Sequence, residues 1–440
     1  MAMASSPISM EEKDVTGSEL QQLCVEGEGM LQQASNDDDD EECRVMFERE
    51  LSFCSSRCRD VEDIMDDSLW KRLPEDLLER VLAWLPLASC VRFRSVCKRW
   101  YAMMYSQSFL ELRSKEAPVC GPSWLLSFGS SLSSQQLLHD VGGSSFLEGN
   151  VFDPSSNSCF KLQFPFLPQD SVLVATAGGL VCFCCNTNES HETDVSFYVC
   201  NPITKAWKLI PSQCSKVSVV VMLVNTESSS FSTSYKLFVF CEASTDRWLW
   251  MGIVDHAAKE YDSKLNRWKS IGGIYSGEQF RPGSVYCDGR VHLLSSETVQ
   301  ALDVKQGIWT DIQAPAYTSC ARLVECQGRL LLVGDMVHLN VFQLPGVSSY
   351  IGVVIWELDP DTQEWVEIGR MPEDMVENFC CSSFCCVVSG GLIYIFPKLE
   401  RLQQIVVYDY SQQTWQQLQN WLKELPSSVF CFEPRLDASA

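Results

Sequence analysis

Five times between residues 201 and 415, an Asp or Asn stands six positions before a tryptophan: Asn201 and Trp207, Asp262 and Trp268, Asp303 and Trp309, Asp359 and Trp365, Asp409 and Trp415. A weaker sixth copy runs from Asp153 to Cys159, with Phe160 beside it. The residues in between suit a tight turn, as in Asn201-Pro202-Ile203-Thr204 and Asp359-Pro360-Asp361-Thr362, because Asx side chains bond nearby backbone and proline presets φ. Upstream lie short apolar runs opened by glycine, at Gly178-Gly179, Gly289, Gly328 and Gly390-Gly391. One interval, Tyr235 to Phe240, lacks the glycine. The Asx positions are 48, 61, 41, 56 and 50 residues apart. Periods of 20–50 residues mark repeat architectures, in which each unit buries its apolar face only against its neighbours.

The segment before the repeats has a different period. From Leu73-Pro74 onward, Leu77, Leu78, Val81, Leu82 and Leu85 recur at helical spacing. Pro74 sits where a helix begins and Pro86 ends the run, while Glu75, Asp76 and Glu79 suit the positive end of the helix dipole. A second helix is expected from about Leu87 to Phe93, and a third from about Ser95 to Tyr105 with Val96, Cys97, Trp100 and Met104 on one side. Three helices in some forty residues are too small to bury this much apolar surface among themselves. A docking partner is therefore expected.

The pattern LP-x2-LL-x2-VL-x2-LP followed by R-x-R-x-VCKRW resembles an F-box, the module that attaches substrate receptors to the Skp-type adaptor of cullin–RING (SCF) ubiquitin ligases. The resemblance implies an adaptor-facing surface made by Leu73, Pro74, Leu77, Leu78, Val81, Leu82, Leu85 and Pro86, supported by Val96, Cys97 and Trp100. Cys90 and Val91 depart from it, standing where a leucine pair is commoner. The downstream repeat resembles a degenerate kelch repeat, which implies a β-propeller of four-stranded blades, here six or seven with six expected. That resemblance gives Gly178, Gly179, Gly390 and Gly391 the role of admitting tight backbone, and Trp207, Trp268, Trp309, Trp365 and Trp415 that of spacers between blades. Trp124 to Phe128 and Ser428 to Phe432 are expected to share one blade and close the ring. The whole is similar to the plant F-box/kelch-repeat proteins, with NPITKAW (Asn201 to Trp207) and CFEPRLD (Cys431 to Asp437) resembling the HAWAIIAN SKIRT-like subgroup.

The expected domains are an acidic arm over 1–65, the F-box over 66–112, the propeller over 113–437 and a tail over 438–440. Residues 1–69 hold 19 Asp/Glu against 5 Lys/Arg, so most of the net charge of −23 lies before the repeats. Such a segment is expected to be a disordered, solvated arm. Net acidity argues against nucleic acid as the main partner. No basic start followed by an apolar run is present. The uncharged stretch from Asn378 to Pro397 reads as two strands around Gly390-Gly391 rather than as a membrane span. The expected location is nucleus and/or cytoplasm, where the 22 cysteines would be reduced small hydrophobes. Neither Cys182-x-Cys184-Cys185 nor Cys380-Cys381-x3-Cys385-Cys386 has paired CxxC knuckles, and the five histidines are scattered, so no metal, cofactor or catalytic constellation is expected.

The reading is a non-catalytic receptor. Its F-box docks a Skp-type (plant ASK) adaptor, and through it cullin and RING subunit, and its propeller holds a target for ubiquitination and proteasomal degradation. Binding is expected on loops at one mouth of the ring, with Thr187 to Asp194, Asn225 to Thr233 and Glu278 to Gly283 as candidates. The alternatives are a scaffold acting outside ubiquitination, and a copper-dependent kelch oxidase, against which the sparse histidines argue.

Overall fold

A computed structural model describes residues 73–440 apart from several intervals, the longest being 130–146, 243–252 and 339–348. The acidic arm expected over 1–65 lies outside the described residues. Four short helices open the described chain: α1 (Glu75–Trp84), α2 (Leu87–Phe93), α3 (Lys98–Met104) and α4 (Gln107–Glu116). The third begins later than expected because Cys97 is its N-cap, in extended backbone, and its thiol accepts from Trp100 N–H. Val96 and Cys97 therefore precede the helix instead of lining it.

The described strands then form six blades of antiparallel sheet. Blade 1 contains β1 (Trp124–Gly129), β2 (Leu147–Asp153) and β3 (Ser158–Phe164). Blade 2 contains β4 (Val172–Ala177), β5 (Leu180–Thr187), β6 (Asp194–Cys200) and β7 (Trp207–Pro211). Blade 3 contains β8 (Val217–Asn225), β9 (Ser234–Glu242), β10 (Ile253–Asp262) and β11 (Arg267–Ser270), with β12 (Tyr275–Glu278) added on β10. Blade 4 contains β13 (Val285–Cys287), β14 (Arg290–Leu294), β15 (Thr298–Asp303) and β16 (Ile308–Gln313). Blade 5 contains β17 (Thr318–Cys326), β18 (Arg329–His338), β19 (Ser349–Leu358) and β20 (Trp365–Arg370). After helix α5 (Glu373–Phe379), blade 6 contains β21 (Phe384–Ser389), β22 (Leu392–Pro397), β23 (Gln404–Asp409) and β24 (Thr414–Gln419). The last strand, β25 (Pro426–Phe432), returns to blade 1 and pairs with β1, Leu126 opposite Phe430. Joining both chain ends in one blade closes the ring and leaves no gap at the seam.

Each repeat signature is the hairpin between the third and fourth strands. The Asx side chain accepts from the N–H groups two and three residues on, as Asp303 does from Lys305 (2.9 Å) and Gln306 (2.8 Å) and Asp409 from Ser411 and Gln412 (both 2.9 Å). The residue four positions after the Asx then turns left-handed, at Lys205, Asn266, Gly307, Gln363 and Gln413, and the chain re-enters the sheet one or two residues later, with the tryptophan as first or second residue of the strand. The glycines belong to the other tight hairpin, between the first and second strands. There two consecutive residues have positive φ: Gly178-Gly179, Asp288-Gly289, Gln327-Gly328 and Gly390-Gly391. Two-residue loops of this kind match the strand twist and favour glycine. Blade 3 lacks a glycine turn there because its first two strands are joined by a longer connection, and blade 1 because its first two strands, β25 and β1, are the last and first strands of the propeller.

The core lies between blades. One cluster joins Phe197 and Val199 of blade 2 to Leu237 and Val239 of blade 3; others join blades 3 and 4, 4 and 5, 5 and 6, and 6 and 1. Between blades 1 and 2, Phe164 packs against Phe128 and Phe183, ring centroids 5.9 and 5.1 Å away. The repeated tryptophans sit half-buried at these seams or exposed beside them. Trp268 donates to Pro211 O of blade 2 (2.9 Å), Trp309 lies 5.9 Å from Phe240 of blade 3, and Trp365 and Trp415 pack on the 4–5 and 5–6 clusters. Trp207, exposed, stacks on Phe166 (5.4 Å). The uncharged stretch ending at Pro397 forms β21 and β22 around Gly390-Gly391, preceded by the end of α5. No helix among the described residues is long and apolar enough to cross a membrane.

Two expectations need correction. Residues 438–440 are not a free tail: Ala438 is buried in the cluster between blades 2 and 3, and Ala440 packs on it. Cys214 and Cys241 are joined by a disulfide, their Cα atoms 5.9 Å apart, where all cysteines were expected to be reduced. Both lie in the cluster between blades 2 and 3, a proximity that a separation of 27 residues does not reveal.

His292, on β14, is buried, and burial holds its imidazole down at about 4. Its unfolded counterpart titrates near 6.5, so the stability that neutral His292 contributes is complete above pH 6.5 and is lost as pH falls toward 4. With about 1.4 kcal/mol for each pH unit of difference, the loss is roughly 3 kcal/mol. Denaturant midpoints of the wild type and of His292→Leu, measured between pH 7 and pH 4, are expected to diverge, only the wild type losing that increment.

Candidate functional site

The leucine stripe of α1 divides into two faces. Leu78 and Leu82 are 0% and 1% exposed and point into the helical segment, where Trp100, Met104 and Phe109 are also buried. Leu77, Val81 and Trp84, at i, i+4 and i+7, are 45%, 42% and 56% exposed. Leu73, Leu85 and Leu87 are partly buried and Pro74 and Pro86 exposed. The nine-residue span Leu77–Leu85 thus carries apolar side chains over too wide an arc for one interface.

What holds the inner face explains why the outer one remains apolar. Cys90, fully buried, donates its thiol to Leu82 O (3.2 Å), so at this departure from the family pattern a small polarisable side chain fits against the end of α1. Burial raises the Cys90 thiol, with Arg113 and Arg94 opposing the shift. Arg113 of α4 donates to Ala83 O (3.0 Å) and Leu85 O (2.9 Å), satisfying carbonyls that a helix end leaves without internal partners. Glu79 accepts from Ser108 of α4 (2.6 Å). Trp100 packs edge-on against Phe93, centroids 5.4 Å apart. Arg99 pairs with Glu75 (3.4 Å), which sets the first turn of α3 beside the first turn of α1. Val96 and Tyr101 are each 50% exposed. Sequence reasoning missed Trp84 and Tyr101 on the outside and Arg113 on the inside; the i, i+4, i+7 series Leu77, Val81, Trp84 was the available signal.

The ring offers a second candidate surface. Strand direction alternates, so first-to-second and third-to-fourth connections share one mouth, and second-to-third and blade-to-blade connections share the other. The interiors of the three candidate loops, 188–193, 226–232 and 279–282, lie outside the described residues. Their strand ends are described. Thr187 to Asp194 joins the second and third strands of blade 2, and Glu278 to Gly283 leads from blade 3 to blade 4, which puts both at the second mouth. Asn225 to Thr233 joins the first and second strands of blade 3 and opens at the first mouth. The three cannot share one binding face.

No group of three His, Cys, Asp or Glu side chains among the described residues is placed to hold a metal ion. Burial pushes the thiols of Cys184, Cys287, Cys326, Cys385 and Cys431 up to about 11, and those of Cys182, Cys200 and Cys386 up as well. These thiols are held protonated, the reverse of what a nucleophile needs. Cys380 and Cys381 lie outside the described residues.

Comparison with known proteins finds both parts. A family model described as the KIB1-4 beta-propeller matches residues 151–418, and one described as the F-box domain matches residues 70–112. F-box only protein 6 of Arabidopsis thaliana is 29% identical over 382 residues, covering 81% of this chain and 72% of its own length. An F-box/kelch-repeat protein of the same plant is 27% identical over 410 residues, covering 86% and 91%. SKP1-interacting partner 15, also of Arabidopsis thaliana, is 25% identical over 373 residues, covering 82% and 95%.

Proposed function

This chain belongs to the KIB1-4 beta-propeller family and carries an F-box domain, and on that premise we propose that it is the substrate receptor of an SCF-type ubiquitin ligase. The observation that carries the reading is the outward row Leu77, Val81 and Trp84 on a helix whose opposite side is already filled. In this reading the row, together with Leu73, Pro74, Pro86 and the exposed Val96 and Tyr101, docks a Skp-type adaptor and through it cullin and RING subunit. The name of SKP1-interacting partner 15 records an interaction with SKP1 for that relative, and we extend that interaction to this chain. The propeller binds a target protein for ubiquitination and degradation, at the mouth formed by second-to-third and blade-to-blade connections. Rate enhancement comes from raised effective concentration of the target near the ubiquitin donor, so the chain supplies no acid, base or nucleophile of its own. The complex acts in nucleus and/or cytoplasm.

Proximity labelling in cells, comparing the full chain with Leu77→Asp/Val81→Asp, tests the reading. Proteins labelled by both forms, and less abundant only in cells expressing wild type until the proteasome is blocked, are the expected targets. If no labelled protein changes abundance between the two forms, degradation is not what this chain does.

A further inference from the structure

The segments Asn201 to Trp207 and Cys431 to Asp437, distant in sequence, meet in the structure, and neither belongs to the outward row of α1. Four of the five tryptophan-bearing copies open their turn with Asp; blade 2 opens it with Asn201. Its Oδ1 does what the aspartates do, accepting from Ile203 N–H (2.9 Å) and Thr204 N–H (3.3 Å). Its Nδ2, which aspartate lacks, donates to Arg435 O (2.9 Å) and Ala438 O (2.8 Å). Asn201 is fully buried, so a carboxylate there would set oxygen against two carbonyl oxygens out of reach of water. A second feature is shaped for the same segment. A Cβ on Gly179 would lie 2.8 Å from Arg435 Cβ and 3.0 Å from Glu433 O; at Gly289 and Gly328, its equivalents in blades 4 and 5, an added Cβ would meet no described atom within 4 Å, and at Gly391 of blade 6 it would meet only side chains, Gln327 Nε2 at 2.7 Å first. Thr233 donates to Asp437 O (3.1 Å), and Arg435 pairs with Asp437 (2.5 Å).

The other side of this turn meets the helical segment. Arg94, buried at the end of α2, donates through Nη1 to Ile203 O (3.1 Å) and lies over the Tyr105 ring, 5.0 Å from its centroid. The bond to Ile203 O ties the end of α2 to the blade-2 turn. We propose that residues 434–440 form a clasp that immobilises the blade-2 turn on which the F-box rests, making Asn201 and Arg94 positioning residues that hold F-box and propeller in one fixed relation. The use of such rigidity, presenting a target at a constant distance from the ubiquitin donor, rests on the receptor reading; the clasp itself does not.

The test uses the full chain, free and bound to a Skp-type adaptor, with fluorophores on non-canonical amino acids at exposed Lys115 of α4 and Glu364 of blade 5. Single-molecule energy transfer is compared for wild type, Asn201→Asp and Arg94→Met, with amide hydrogen exchange measured in parallel. The aspartates of the four equivalent turns are only partly buried, so Asn201→Asp probes the amide where it is buried, and Arg94→Met keeps an unbranched side chain in place of the arginine stem. In Asn201→Asp, exchange over 434–440 is expected to rise on the order of tenfold, and the narrow transfer distribution to broaden as it does in Arg94→Met. Adaptor affinity is expected to stay at the wild-type value in both. A released C-terminal segment with an unchanged distribution overturns the proposal, as does a segment that stays protected in Asn201→Asp. Should Asn201→Asp fail to fold, a chain ending at Glu433 releases the segment by another route, and an unchanged distribution there overturns it equally. Failure of the wild-type chain to bind adaptor sinks the receptor reading alone, since the free chain still reports on the clasp.

Discussion

Replacing Leu77 and Val81 together by aspartate is expected to abolish adaptor binding and to leave the fold intact. Both side chains are more than 40% exposed in the free chain, so their carboxylates remain hydrated and the melting temperature should change little; surface substitutions commonly stay within about 0.5 kcal/mol. In the docked state the same carboxylates would lie against apolar surface with no partner. Losses of about 2 kcal/mol or more at each central contact, added to that desolvation penalty, amount to roughly a thousandfold or more in affinity. Leu82→Asp makes the contrast. That side chain is 1% exposed and faces the interior of the helical segment, so a carboxylate there is expected to unfold the F-box. Loss of adaptor in Leu82→Asp therefore reports folding, and only Leu77→Asp/Val81→Asp reports the interface. Thermal melts of both variants beside adaptor co-purification separate the two.

Ending the chain at Gln419 is the second large effect, and it acts on the ring. It removes β25, which pairs with β1 from Trp124 opposite Phe432 to Gly129 opposite Pro426. Val429 leaves the cluster shared by blades 6 and 1, and Phe432 leaves Trp124, ring centroids 5.9 Å apart. Each large apolar side chain withdrawn contributes about 1.5–3 kcal/mol, and the remaining edge of β1 offers unpaired backbone for aggregation. Stability of a domain is only about 5–15 kcal/mol, so the truncated chain is expected to be insoluble or to lose its cooperative transition. A chain ending at Glu433 keeps β25 and is expected to fold. If the chain ending at Gln419 melts cooperatively within a few degrees of wild type, ring closure is not what holds this propeller together.

The architecture was legible where local chemistry repeats. An Asx that caps its own turn and a tryptophan six positions on recur at a fixed offset, so the hairpins could be found one by one. The glycine pairs were visible, but their reason was not: they mark two-residue turns with positive φ, and only the paired strands show it. The helical segment was legible as a motif and illegible as a surface. Periodicity groups Leu77 with Leu78 and Val81 with Leu82; which of each pair faces outward depends on α3 and α4, and on Arg113 reaching the end of α1 from 30 residues away. The bridge between Cys214 and Cys241 and the burial of Ala438 were hidden for the same reason, since both depend on contacts across blade seams. Asn201 carried a readable signal, a single amide among aspartates, whose meaning appears only when its Nδ2 meets the C-terminal segment.

The central claim, that the outward face of α1 makes this chain a receptor, is tested most directly by titrating purified Skp-type adaptor into the full-length chain in a calorimeter. A one-to-one complex with wild type, and no measurable heat with the folded Leu77→Asp/Val81→Asp variant, is the predicted result. Equal binding by both forms, or none by the wild type, would contradict it.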